Sequence, residues 1–339
     1  MTGKERISAA LTGEPTDKIP VMLHNFMPVA KEAGLTMKQY RENPRAIADA
    51  FIRSVETYEY DGVLVDIDTV TLAGACGVDV DFPENDPARS HKGNLESYEQ
   101  LPDMKIPDLS KYRYAVNWLE ATRLLKEYFG DEIYVRGNCD QAPFSLASMI
   151  RGTENWMLDF YMSEESKIHE LLDYCTEVSI QFIRLMAQTG CDMVSNGDSP
   201  AGPEMIPPDL YAKWALPFEK KVIQAAHDEK LPYVLHICGN TEAILPLMIE
   251  SGADGLELDY KTDAKKAFDL MKDQCAFFGN VDPSGILALG TVEQVRQATE
   301  EVINVFSGTN RFVLNTGCAL PPDTPEENIR AFVKTARGF

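Results

Sequence analysis

The sequence has no apolar run approaching the roughly 18 residues a membrane-crossing helix needs, so no membrane span is expected. It has little positive charge: 32 Lys and Arg stand against 53 Asp and Glu, for a net charge of −21. That balance argues against nucleic acid and anionic membranes as partners. The start, Met1-Thr2-Gly3-Lys4-Glu5-Arg6, lacks the apolar core of a signal peptide. The cysteines are seven, an odd number scattered along 339 residues, which suits a reducing compartment better than a disulfide framework. A cytoplasmic protein is therefore expected. No linker and no internal repeat interrupts the chain, so residues 1–339 read as one domain.

What is present is an alternation. Apolar, strand-like runs fall at Ile19–Leu23, Asp61–Asp68, Glu132–Cys139, Asp192–Asp198, Leu231–Cys238, Asp254–Asp259, Cys275–Asp282 and Arg311–Asn315. Helical periodicity falls between them, at 45–59, 116–128, 143–186 (at least two helices), 207–227, 241–251, 263–272, 291–306 and 324–337. Residues 3–12 read as a short amphipathic helix capping one end. The Pro-rich, acidic stretch 79–110 reads as an excursion over the mouth of the fold or a short hairpin. Eight strands alternating with helices predict an α/β fold, a single-domain (β/α)8 TIM barrel. An open doubly wound sheet would want a Gly-rich phosphate turn after its first strand, and the chain there reads His24-Asn25-Phe26-Met27-Pro28.

Polar residues gather at the C-terminal ends of these runs, the face where barrels carry their active sites. His236 and Cys238 alternate on one strand and so share a face, and Cys318 ends another strand-like run. Imidazole and thiolate are preferred ligands of Zn²⁺, and three protein ligands with one open position is the pattern of a catalytic site. The competing reading is a hydrogen-bonded histidine beside two buried thiols. Glu257 and Asp259 are the nearest carboxylates by topology, for a fourth ligand or for substrate. Asp66 and Asp68, on one strand, are expected to share a face. Asp198 and Asp282 are placed to bind substrate or the groups that support it, His24 is a base or a polar contact, and the other five cysteines are packing residues.

Several stretches resemble the uroporphyrinogen decarboxylase superfamily. Gly279-Asn280-Val281-Asp282-Pro283 is similar to its G-N-[aliphatic]-D-P motif, and Pro143-Phe144-Ser145-Leu146-Ala147 to its P-F-[ST]-L-A segment. True decarboxylases carry arginines after the first strand, whereas Met22 to Gly34 holds none. The zinc motif of the methylcobamide:coenzyme M methyltransferase branch, H-x-C followed far downstream by C, fits His236, Cys238 and Cys318. This resemblance implies Zn²⁺ on those three residues, and a corrinoid (methylcobamide) as co-substrate on a partner corrinoid protein. It also implies a small thiol acceptor or methyl donor. Asp68, Glu257 and Asp259 are then the expected catalytic carboxylates, and Asn280, Asp282 and Asp198 the expected corrinoid- or substrate-binding residues. Barrels of this superfamily occur as monomers and as homodimers. The alternative is a metal-free decarboxylase acting through Asp68. A third reading is a non-catalytic corrinoid-binding barrel.

Overall fold

A computed structural model describes residues 1–338. Its main sheet has eight parallel strands: β1 (Met22–Leu23), β2 (Gly62–Val65), β3 (Tyr134–Gln141), β4 (Met193–Gly197), β5 (Tyr233–Ile237), β6 (Gly255–Leu258), β7 (Ala276–Val281) and β8 (Phe312–Thr316). Each pairs with the next in chain order. The ring closes where Val21 bridges Leu314 and the Leu314 amide donates to the Pro20 carbonyl at 2.9 Å. The fold is a (β/α)8 TIM barrel, as the alternation predicts. Among the described residues no helix is long and apolar enough to cross a membrane.

The two-residue period of the strands sorts the barrel interior into layers. The lowest layer is apolar: Met22, Leu64, Tyr134, Met193, Val234, Ala276, Phe278 and Val313 form one buried cluster. Helix Gly3–Thr12 plugs that end with Ile7, Ala10 and Leu11. Thr2 and Glu5 make a capping box at its start, and Gly13 in the left-handed region ends it. Two residues further on, the inward positions contributed by β1 to β5 turn polar, as His24, Asp66, Arg136, Ser195 and His236, and β6 adds Glu257. The large apolar cluster lies outside the barrel wall, between strands and helices.

Several boundaries differ from the sequence reading, each for a local reason. The helix expected over 207–227 is two helices, Pro208–Trp214 and Leu216–Asp228, because Pro217 cannot donate the backbone bond that would join them. The helix expected over 241–251 shortens to Leu245–Glu250, because Pro246 has no N–H to give the Glu242 carbonyl. Residues 143–186 hold three helices, Pro143–Arg151, Thr153–Met162 and Glu165–Ala187. The 79–110 excursion contains a two-stranded hairpin, Val80–Asp81 against Arg89–Ser90. Its tip is strapped by Arg41, a buried side chain that donates to the Pro83 and Asp86 carbonyls. Asp66 and Asp68 do not share a strand face, since β2 ends at Val65.

Candidate metal centre and cavity

The polar layer of the barrel opens onto a cavity of about 250 Å³, walled by residues from β1 through β6 and by Cys318 and Ala319. Pro87 of the hairpin tip forms part of the wall. His236, Cys238 and Cys318 all face this cavity, and their ligand atoms lie within 4.8 Å of one another. His236 Nε2 is 3.0 Å from Cys238 Sγ, and the two sulfurs are 3.7 Å apart.

This donor set fits a tetrahedral Zn²⁺. Two sulfurs at about 2.3 Å from a shared ion would stand about 3.8 Å apart, close to the spacing observed. The imidazole is nearer its sulfur than a shared ion would set, at about 3.6 Å, so a small ring shift would accompany binding. The other ring nitrogen is fixed: Nδ1 lies 3.0 Å from the Glu257 carbonyl oxygen. A carbonyl only accepts, so Nδ1 carries hydrogen and Nε2 is the nitrogen presented to the sulfurs.

Backbone geometry brings the three residues together. Cys238 follows β5 directly, and its amide donates to Ser199 Oγ at 3.3 Å. Gly239 lies in the left-handed region, and its amide donates to Asp259 Oδ2 at 2.9 Å. Gly317, before Cys318, packs against the chain just past β6. A Cβ there would sit 2.6 Å from the Tyr260 nitrogen and 2.7 Å from the Leu258 carbonyl oxygen. Only glycine permits that approach.

Charge in the site is arranged as a chain. The hydrogen bond with the Cys318 thiol holds the Cys238 thiol down to about 3, with the His236 imidazole adding to the effect. The same bond, together with burial, pushes Cys318 up. Burial opposes charge on His236, but Cys238 and Glu257 outweigh it and raise it to about 10. Behind this triad, Arg136 forms a fully buried ion pair with Glu257 and donates to Ser195 Oγ at 2.9 Å. Glu257 Oε1 lies 3.4 Å from His24 Nδ1, and His24 Nε2 binds Asp66 Oδ2 at 2.7 Å. Burial disfavours charge on His24, yet Asp66 and Glu257 raise it to about 9. Burial would raise Glu257, but Arg136, His24 and His236 hold it below the usual carboxylate range. Four buried charges, two of each sign, thus cancel in a line across the barrel.

The expected site residues therefore separate. His236, Cys238, Cys318 and Glu257 share the cavity wall. Asp68, Asp259, Asn280, Asp282 and Asp198 do not line it. Asp68 Oδ1 caps the turn after β2, accepting from the Val70 and Thr71 amides and the Thr71 hydroxyl, each at 2.9 Å. Asp259 holds the Gly239 and Lys261 amides. Asn280 donates to the Asp259 and Thr262 carbonyls. Asp282 caps the turn after β7. Asp198 is fully buried and accepts from the Ser145 amide and hydroxyl. Arg136 was not among the sequence candidates. Its one signal is a charge in mid-strand, Tyr134-Val135-Arg136-Gly137, where an inward position would otherwise be apolar.

Comparison with known proteins places this site in context. A methylcobamide:CoM methyltransferase, MtbA, of Methanosarcina acetivorans is 30% identical, with 100% of this chain and 98% of that protein covered. A uroporphyrinogen decarboxylase of Prochlorococcus marinus is 27% identical over 97% of this chain and 94% of its own length. The solved structure of a methyltransferase from Methanosarcina mazei superposes with a TM-score of 0.89 at 26% identity, covering 100% of this chain and 99% of that one. The family described as uroporphyrinogen decarboxylase (URO-D) matches residues 2–339, and the chain belongs to that family.

Proposed function

We propose that this protein is a corrinoid-linked methyltransferase that moves a methyl group between a corrinoid and a small thiol, and that His236, Cys238 and Cys318 hold the zinc ion it uses. The observation that carries this reading is the triad itself: one nitrogen and two sulfurs converging on a cavity at the mouth of a barrel. The relatives named as methylcobamide:CoM methyltransferases and the methyltransferase structure support it.

Zinc in such a site lets a thiol lie deprotonated at neutral pH, whereas a free thiol, with a pKa of about 8.5, is mostly protonated there. The chain's own residues supply the rest. The Glu257 carbonyl orients His236, and the Glu257 carboxylate, anchored by Arg136 and His24, supplies a negative charge beside the triad. The cavity, at about 250 Å³, falls below the roughly 300–1,000 Å³ of sites that enclose drug-sized ligands. It suits a small thiol, while a corrinoid would present its methyl group from the mouth, carried by a partner protein. In the thiol-methylating direction sulfur attacks the methyl carbon, the S–C bond forms, the Co–C bond breaks and its electron pair stays on cobalt. In this reading residues 1–339 act as one catalytic barrel.

The relative named as a uroporphyrinogen decarboxylase favours a second reading, a metal-free decarboxylase. The site speaks against it. Asp68 lies outside the cavity wall with Oδ1 capping a turn, and the cavity's single arginine is neutralised by Glu257. A substrate with many carboxylates would find no free cation.

Anaerobic incubation of zinc-loaded protein with methylcobalamin and a panel of thiols tests the proposal through the change in corrin absorbance. Demethylation that disappears in Cys238→Ser is the expected result. An unchanged rate in that variant would overturn the assignment.

A further inference from the structure

Pro87 reaches the cavity wall from the tip of the hairpin, Val80–Asp81 against Arg89–Ser90. The two strands share only two residue pairs, so the loop 82–88 between them needs support from outside. The short helix Met37–Glu42 gives it. Arg41 of that helix is buried and forms no ion pair among the described residues. Its Nη2 donates to the Asp86 carbonyl at 2.6 Å, and its Nη1 to the Pro83 carbonyl at 3.3 Å. The guanidinium carbon lies 5.5 Å from the centroid of the Phe82 ring, which stacks on Tyr114 at 4.2 Å. A buried cation without a carboxylate is costly. Here two carbonyls of the tip and an aromatic face offset that cost.

The preceding residue ties the same helix to the barrel. The Tyr40 hydroxyl donates at 2.7 Å to the carbonyl of Asp66, a residue of the cavity wall just past β2. Asn117 Nδ2 steadies the helix by donating to the Arg41 carbonyl at 3.0 Å. Adjacent side chains thus link two parts of one wall, Asp66 on the barrel and Pro87 on the hairpin. The separation of those parts contributes to the width of the cavity, which encloses about 250 Å³ with Pro87 in place.

We propose that Pro87 limits the bulk of the thiol that enters this cavity, and that Arg41 is the positioning residue that holds Pro87 there. This rests on the thiol reading above and narrows it to short, slender thiols. An apolar wall that fits its ligand rejects even one surplus methylene by about 10- to 200-fold.

Two uncharged thiols separate the outcomes, 2-mercaptoethanol and the bulkier 2-phenylethanethiol. Their binding to zinc-loaded protein is measured by calorimetry in wild type, Arg41→Met and Pro87→Ala. Zinc content and amide hydrogen exchange over residues 84–86 are measured beside it. Wild type should favour the smaller thiol at least about ten-fold. That ratio should fall at least about three-fold in both variants, with zinc content at the wild-type level. Exchange over 84–86 should quicken at least about ten-fold in Arg41→Met, the size of one hydrogen bond to a charged group. Should Arg41→Met fail to fold, Pro87→Ala carries the test of the wall. Arg41→Lys, which keeps the charge without the fork, then carries that of the tether, with a smaller fall in the ratio. A merely structural Arg41 would lower Tm in its variant and leave the ratio where it was, removing Arg41 from the role. An unchanged ratio in Pro87→Ala, or a wild type that binds the bulky thiol as tightly as the small one, would overturn the size limit while leaving the thiol reading intact. Binding of neither thiol with zinc in place would overturn the thiol reading, and the size limit with it.

Discussion

Arg136 shows what a single buried charge does in this barrel. Its guanidinium and the Glu257 carboxylate are both almost wholly buried, and each makes the other tolerable. Removing one partner leaves the other as an uncompensated charge, which costs about 3–5 kcal/mol. Arg136→Met should therefore lower the unfolding free energy from urea titration by an amount of that order, through a lower midpoint with little change in the slope. Replacing an exposed partner, as in Lys31→Ala opposite Asp323, should cost less than about 1 kcal/mol. Asp198 makes a different prediction. It lies against Glu219, and burial raises it from 3.8 to about 6 in the folded chain. Burial and Asp198 raise Glu219 as well. A carboxyl whose pKa rises on folding holds its proton more tightly folded than unfolded. Its contribution is thus most favourable below the unfolded value of 3.8, declines as pH rises toward about 6, and stays low above that. Asp198→Asn keeps an acceptor for Ser145 and gives Glu219 a permanent donor. It should flatten the dependence of Tm on pH across that window and stabilise the protein at pH 8 relative to wild type. A steeper dependence in the variant would contradict the pairing.

At the scale of elements, the site depends on how closely the ends of β6 and β8 approach. The contact of Gly317 with the Leu258–Tyr260 backbone sets where Cys318 emerges. A methyl group there cannot be absorbed by a flexible side chain, because the atoms it meets are main chain. Gly317→Ala should move Cys318 away from Cys238, lowering zinc content well below that of wild type while far-UV circular dichroism stays barrel-like. Full zinc occupancy in Gly317→Ala would show that the approach tolerates more than its geometry implies. The same scale explains why strands were easier to read than helices. A barrel strand is a short apolar run with polar residues at its end, and Leu231–Cys238 carries that pattern in full. The breaks at Ala215 and before Leu245 arise from missing proline donors, at Pro217 and at Pro246. Both are visible in sequence once the two prolines are weighed.

For the whole molecule, the alternation of strands and helices made the barrel legible, because parallel strands buried on both faces need apolar runs and crossovers. The triad was legible because soft ligands at strand ends are chemically distinctive. The carboxylates were not. Asp68, Asp259, Asp282 and Asp198 sit at strand ends as Glu257 and Asp66 do, yet their oxygens hold backbone amides. Nothing in residue type separates a capping aspartate from a cavity one. Arg136 and His24 show the reverse, since their meaning depends on which carboxylate the closed barrel sets opposite each. The account stands on three side chains from β5 and the end of β8 meeting at one ion. The direct test is the metal content of protein purified without oxygen, wild type beside Cys318→Ser, by elemental analysis. About one zinc per chain, largely lost in the variant, is the predicted result. Wild-type protein that holds no zinc when supplied with it, or a variant that retains it in full, would contradict the account.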